Sequence, residues 1–170
     1  MRTSSIRNSL SLSFNCDIPE IELWEPAQRI YDDMGMKRKI LRDGIGPMAM
    51  AKLIKTIGRE KLKKELKVFM TPKGNIQQLE HFLAGGISPI IHRSFLEGDC
   101  GGHYETIIGI DNTHIYMFNP ANDKETSGVH KKTLKEFDKK WWPFDNERWF
   151  LAGYPADVIL PLEKFRGRYG

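Results

Sequence analysis

Two cysteines, Cys16 and Cys100, are too few for a disulfide framework. The few cysteines and histidines form none of the tight pairs of a zinc site. No apolar run approaches the ~18 residues of a membrane-spanning helix. The opening stretch MRTSSIRNSLSLSFNC has arginines, but serines and asparagines break up its apolar residues, so it lacks the apolar core of a secretory signal. The basic run Lys52–Lys67 (KLIKTIGREKLKKELK) contains no aromatic residue. A single-strand groove interleaves aromatics with its cations, so this run reads as a solvated helical face. No internal repeat is visible. Together these absences predict a cytoplasmic protein with no metal, no cofactor, no membrane association and no nucleic-acid partner. They leave its oligomeric state open.

What is present is ordinary for a globular chain. The 170 residues are 40% hydrophobic and 28% charged, with a net charge of +4 and a pI near 9.0. That length suffices for one full core, and residues 1–170 are expected to form a single domain.

The elements fall in a clear order. Ile6, Leu10 and Phe14 recur at helical spacing, which predicts a helix over Thr3–Phe14 with Ser4 or Ser5 as its cap. Trp24, Ala27, Ile30, Tyr31 and Met34 predict a second helix with Pro26 in its first turn. A third helix is expected over Met48–Ile57, ended by Gly58, and another short one over Glu60–Glu65. Leu66–Met70 reads as a strand, and Asn75–Leu83 as an amphipathic helix stopped by Ala84-Gly85-Gly86. Ile87–Phe95 reads as a strand, Leu96–Gly102 as a turn and Ala121–Gly128 as a polar loop. Thr133–Trp142 reads as a helix, and Arg148–Tyr154 and Val158–Leu160 as closing strands. Helices first and hairpin-joined strands after predict an α+β fold, N-terminal helices packed on a C-terminal antiparallel sheet.

The chemistry concentrates in Gly101–Pro120, GGHYETIIGIDNTHIYMFNP. It reads as a β-hairpin turning at Asp111-Asn112-Thr113, with His103 near its start and Asn119 near its end. An imidazole oriented by a carboxamide is half of a nucleophilic triad. A two-residue loop would set Asn119 opposite Thr106, on the face away from His103, because strand side chains alternate. Sharing a face therefore requires a longer loop or a bulge, which Asn112 could supply.

The segments GGISPIIHR, GGHYETIIGID and IYMFNP resemble the papain-like double-glycine leader peptidases of bacteriocin exporters and their free-standing relatives. The resemblance implies a papain-like fold and a cysteine-peptidase chemistry. It sets His103 on the family's catalytic histidine and Asn119 on its orienting aspartate. Aligning Asn8-Ser9-Leu10 with the family's nucleophile helix sets Ser5 on its cysteine. A second register sets Ile45 there, which would leave no nucleophile.

The implied site is thus Ser5, His103 and Asn119, acting on a peptide or other amide/acyl substrate. Ser5 keeps three readings: a replacement that inactivates a cysteine enzyme, a native serine of a hydrolase or acyltransferase, or a helix cap without catalysis. A hydroxyl cannot rest ionised beside histidine as a thiol can. The rival to a hydrolase is a non-catalytic peptide-binding pseudoenzyme, and then an acyltransferase of small-molecule biosynthesis. Cys100 reads as a loop thiol without a role, Cys16 as a small buried side chain, and His81 and His114 as surface residues. Trp141, Trp142 and Trp149 read as core or groove wall.

Overall fold

The computed structural model describes residues 4–37, 45–94, 102–119, 128–141 and 147–161. Cys100, Trp142, residues 96–101 of the expected turn and residues 121–127 of the expected polar loop fall outside them. The order is α1 (Ser4–Phe14), α2 (Ile21–Asp33), α3 (Pro47–Ile57), a π-helical turn (Gly58–Leu62), β1 (Leu66–Thr71), α4 (Ile76–Ala84), β2 (Ile90–Ser94), β3 (Gly102–Ile110), β4 (His114–Asn119), β5 (Gly128–Thr133), α5 (Leu134–Lys140) and β6 (Phe150–Pro155). The six strands form one sheet, ordered β1-β6-β2-β3-β4-β5 and antiparallel at every pairing. The fold is α+β, as the order of sequence patterns predicts.

Alternation along the strands divides the core in two. Ile90 and Leu151 join α1, α2 and α3 through Ile6, Leu10, Ala27, Leu53 and Ile54. Their neighbours Ile91, Phe150 and Ala152 join α4 and α5 through Leu79, Phe82, Phe137 and Trp141. Successive residues point to opposite faces, so one strand can feed both cores. Trp141 is fully buried, and Phe82 and Phe150 meet edge-on at 6.0 Å.

Local chemistry explains several boundaries. Asn75 caps α4: its side chain accepts from the Gln78 amide at 2.9 Å, while the Gln78 side chain accepts from the Asn75 amide. Thr133 and Glu136 repeat this box at α5. Ser4 and Ser5 direct their hydroxyls elsewhere, Ser4 to Glu20 at 2.7 Å and Ser5 to a strand carbonyl. Pro26 lies inside α2, one turn later than expected, on the buried face with Leu23, Ala27, Ile30 and Tyr31.

Gly58 is the C-cap at which α3 ends, as expected. Its backbone stays right-handed and leads into the π-helical turn, which Lys63 closes in a left-handed conformation at φ 53°. Glycine is needed there because an added Cβ would lie 2.6 Å from Leu66 Cγ. The strands differ from the sequence reading in two places. Gly128–Thr133 is a sixth strand that the sequence pattern conceals, whereas Val158–Leu160 forms no strand. Ile159 in that segment is 91% exposed, so no apolar face is there to be buried by pairing.

Candidate active site

His103 is the second residue of β3 and Asn119 the last of β4. Residues Thr106 and Phe118 are partners, as are Ile107 and Met117, but the register then jumps so that Gly109 meets Tyr116. The required bulge exists, at Ile107–Gly109 rather than at Asn112. It sets Asn119 on the face that His103 shares with Glu105, and Asn119 Oδ1 lies 2.5 Å from His103 Nε2. An amide oxygen can only accept, so Nε2 carries the hydrogen and Nδ1 the lone pair. Both residues are buried.

Below the bulge the turn is held by Asp111. Its Oδ1 accepts from the amides of Thr113 and His114, both at 2.7 Å, and its Oδ2 accepts the Tyr116 hydroxyl at 2.8 Å. These bonds, the Thr113 amide first among them, hold its carboxyl well below the usual carboxylate range.

Ser5 arrives from the other side of β3. It lies in the first turn of α1, and its hydroxyl donates to the carbonyl of Tyr104 at 2.8 Å. The Thr106 hydroxyl returns the contact, donating to the Ser5 carbonyl at 3.1 Å. Tyr104 packs its ring toward α1–α3 and stacks on His92 at 4.6 Å. Burial, then the nearby Tyr31, pushes the Tyr104 phenol above its ordinary value, and burial pulls the His92 imidazole down. Ser5 is therefore seated against the backbone one residue beyond His103. Its proton points at a carbonyl and not at the ring.

Two residues that sequence reasoning passed over complete the neighbourhood. Glu105, fully buried, has one oxygen 3.9 Å from His103 Nε2 and the other 3.3 Å from His130 Nε2. His130 stands on β5 opposite Met117. Glu105 resembles an outward-facing strand residue in sequence, and only the unanticipated β5 closes over it. Among the described residues, no group of three or more His, Cys, Asp or Glu is placed to hold a metal ion.

Cys16 and His81 lie apart from the site. Cys16 is half-buried rather than buried, with its thiol pushed up by burial and then by Asp17. His81 lines a cavity of about 390 Å³ with Phe14, Phe82, Tyr154 and Leu160. Phe14 ends α1, about 14 Å of helix away from Ser5. Ser5, His103 and Asn119 do not line that cavity.

No protein-family model and no curated protein matches the chain. Among solved structures it is similar to the peptidase domain of Streptococcus ComA, a bifunctional ABC transporter involved in a quorum-sensing pathway. The TM-score is 0.55 at 14% identity, covering 88% of this chain and 86% of that one. The likeness is one of fold: a papain-like α+β peptidase-domain architecture.

Proposed function

We propose that this fold carries a papain-like amide- or peptide-bond hydrolase within one domain spanning residues 1–170, with Ser5 in the nucleophile position. The observation that carries the reading is the buried His103–Asn119 pair, with the Ser5 hydroxyl bonded to the same strand one residue along. Asn119 fixes the imidazole with Nε2 protonated, so Nδ1 is the atom that takes a proton. In the reaction, Ser5 Oγ bonds to the acyl carbon and passes its proton to His103. Amide groups at the start of α1 hold the oxyanion. His103 then protonates the departing amine, and water or another acceptor releases the acyl group from Ser5. Attack requires the Ser5 hydroxyl to leave the Tyr104 carbonyl and to meet the His103 ring, which projects from the other face of β3. The substrate is a peptide or another amide or acyl compound, and the site is cytoplasmic. No helix among the described residues is long and apolar enough to cross a membrane.

A second reading has its own support. Ser5 and His103 are both buried, and the Ser5 proton is engaged by a carbonyl that cannot take it. That arrangement also suits a peptide-binding pseudoenzyme descended from a cysteine peptidase. An activated-ester acyl probe separates the two. Ser5 labelling that disappears in His103→Ala is expected of the enzyme, whereas peptide binding without labelling would identify the binding module. An added amine acceptor distinguishes hydrolysis from acyl transfer by its product.

A further inference from the structure

Asn119 orients the His103 ring, but a carboxamide carries no charge. A histidine that accepts a proton in a buried place becomes a cation that needs a counter-charge, because desolvation disfavours the charged ring. Glu105 is the carboxylate within reach. It is two residues along β3 from His103 and therefore on the same face, opposite Ile91 of β2. Its side chain is wholly buried, with its oxygens 3.9 Å from His103 Nε2 and 3.3 Å from His130 Nε2. A carboxylate placed there has no water to stabilise it, so the His103 ring, once it takes a proton, is its counter-charge as much as it is the ring's.

We propose that Glu105 is the positioning residue that balances the His103 imidazolium, dividing between two residues a task that one carboxylate often performs. Asn119 supplies the direction of the ring and Glu105 the negative charge. His130, 18% exposed on β5, lies 3.3 Å from the second carboxylate oxygen.

Among the described residues, the other charged positions on the elements around Glu105 are few. Arg93 of β2 is in register with His103, and Lys132 of β5 with Ile115. On α4, Glu80 is exposed and His81 belongs to the cavity wall. On the opposite face, α1 contributes Arg7.

The inference rests on the proposed role of His103, but its test does not need activity. The pH titration of the His103 ring is followed by NMR in the full chain, as wild type, Glu105→Gln and Glu105→Gln/Asn119→Asp. Glu105→Gln is expected to lower the midpoint of His103 by about one pH unit or more, a tenfold change in proton affinity. Returning a carboxylate at position 119 is expected to restore it. A folded Glu105→Gln protein with an unmoved His103 midpoint overturns the proposal. If Glu105→Gln does not fold, the wild-type Glu105 carboxyl carbon decides: ionised at pH 7 supports the assignment, and protonated at pH 7 overturns it. Failure of acyl labelling with the titrations as expected would refute the hydrolase and leave this charge pairing standing. Labelling retained in Glu105→Gln with an unchanged pH profile would do the reverse.

Discussion

The Ser5 hydroxyl donates to the Tyr104 carbonyl at 2.8 Å across 99 residues of sequence, and this bond ties the first helix to the strand that carries His103. A part-buried hydrogen bond of this kind contributes about 1 kcal/mol net. Ser5→Ala should therefore lower unfolding stability by about 1 kcal/mol in urea denaturation while removing all probe labelling. Full stability in Ser5→Ala would mean that the bond does not hold α1 to β3.

Asn119 should matter to both stability and chemistry. Asn119→Ala leaves a buried imidazole hydrogen without its acceptor, a cost of about 1–3 kcal/mol. The ring also loses the contact that selects its tautomer, so acyl labelling should fall at least as far as in any stability-matched control. Chemical denaturation and labelling rate, measured on the same samples, check the two effects separately.

The turn at Asp111 should weaken in acid. The folded carboxyl ionises at a lower pH than that of an unfolded chain, where aspartate titrates near ~3.9. The contribution is therefore fully present above that value and is lost as pH falls toward the folded one. Protection of the Thr113 and His114 amides against exchange, relative to the intrinsic rate at each pH, should fall below about pH 4. In Asp111→Asn this acid-side change should be absent, and equal pH dependence in the two proteins would remove Asp111 as its cause.

Close packing of α3 on β6 gives a purely steric prediction. A Cβ on Gly153 would lie 2.5 Å from Ile54 Cγ2, a buried and branched side chain that cannot swing away. Gly153→Ala should cost about 1–3 kcal/mol, with partial recovery on adding Ile54→Ala. Thermal melts of the single and double variants show whether the two changes are coupled.

Much of this arrangement could be read from residue spacing. The amphipathic run after Asn75, the hairpin turning at Asp111-Asn112-Thr113 and the need for a bulge all follow from periodicity and turn chemistry. These are local properties. What escaped depends on distant partners. β5 is hidden because Lys131 and Lys132 interrupt the alternation that marks a strand, and its pairing with β4 supplies what its sequence does not. Glu105 looks solvated until β5 brings His130 against it. Gly58 is legible as a helix stop, but only the approach of Leu66 shows why a side chain is excluded there. Of the candidate site, His103 and Asn119 were legible as a pair, while the seat of the Ser5 hydroxyl on a carbonyl was not.

The most direct test of the shared site for positions 5 and 103 is the pH dependence of thiol alkylation in Ser5→Cys, made in a Cys16→Ser/Cys100→Ser background. An ordinary thiol ionises near 8.5, and one paired with histidine ionises well below that. Rapid alkylation of Cys at position 5 in mildly acidic solution, reverting to ordinary thiol behaviour on His103→Ala, is the predicted result. An ordinary thiol profile that His103→Ala leaves unchanged would contradict the account.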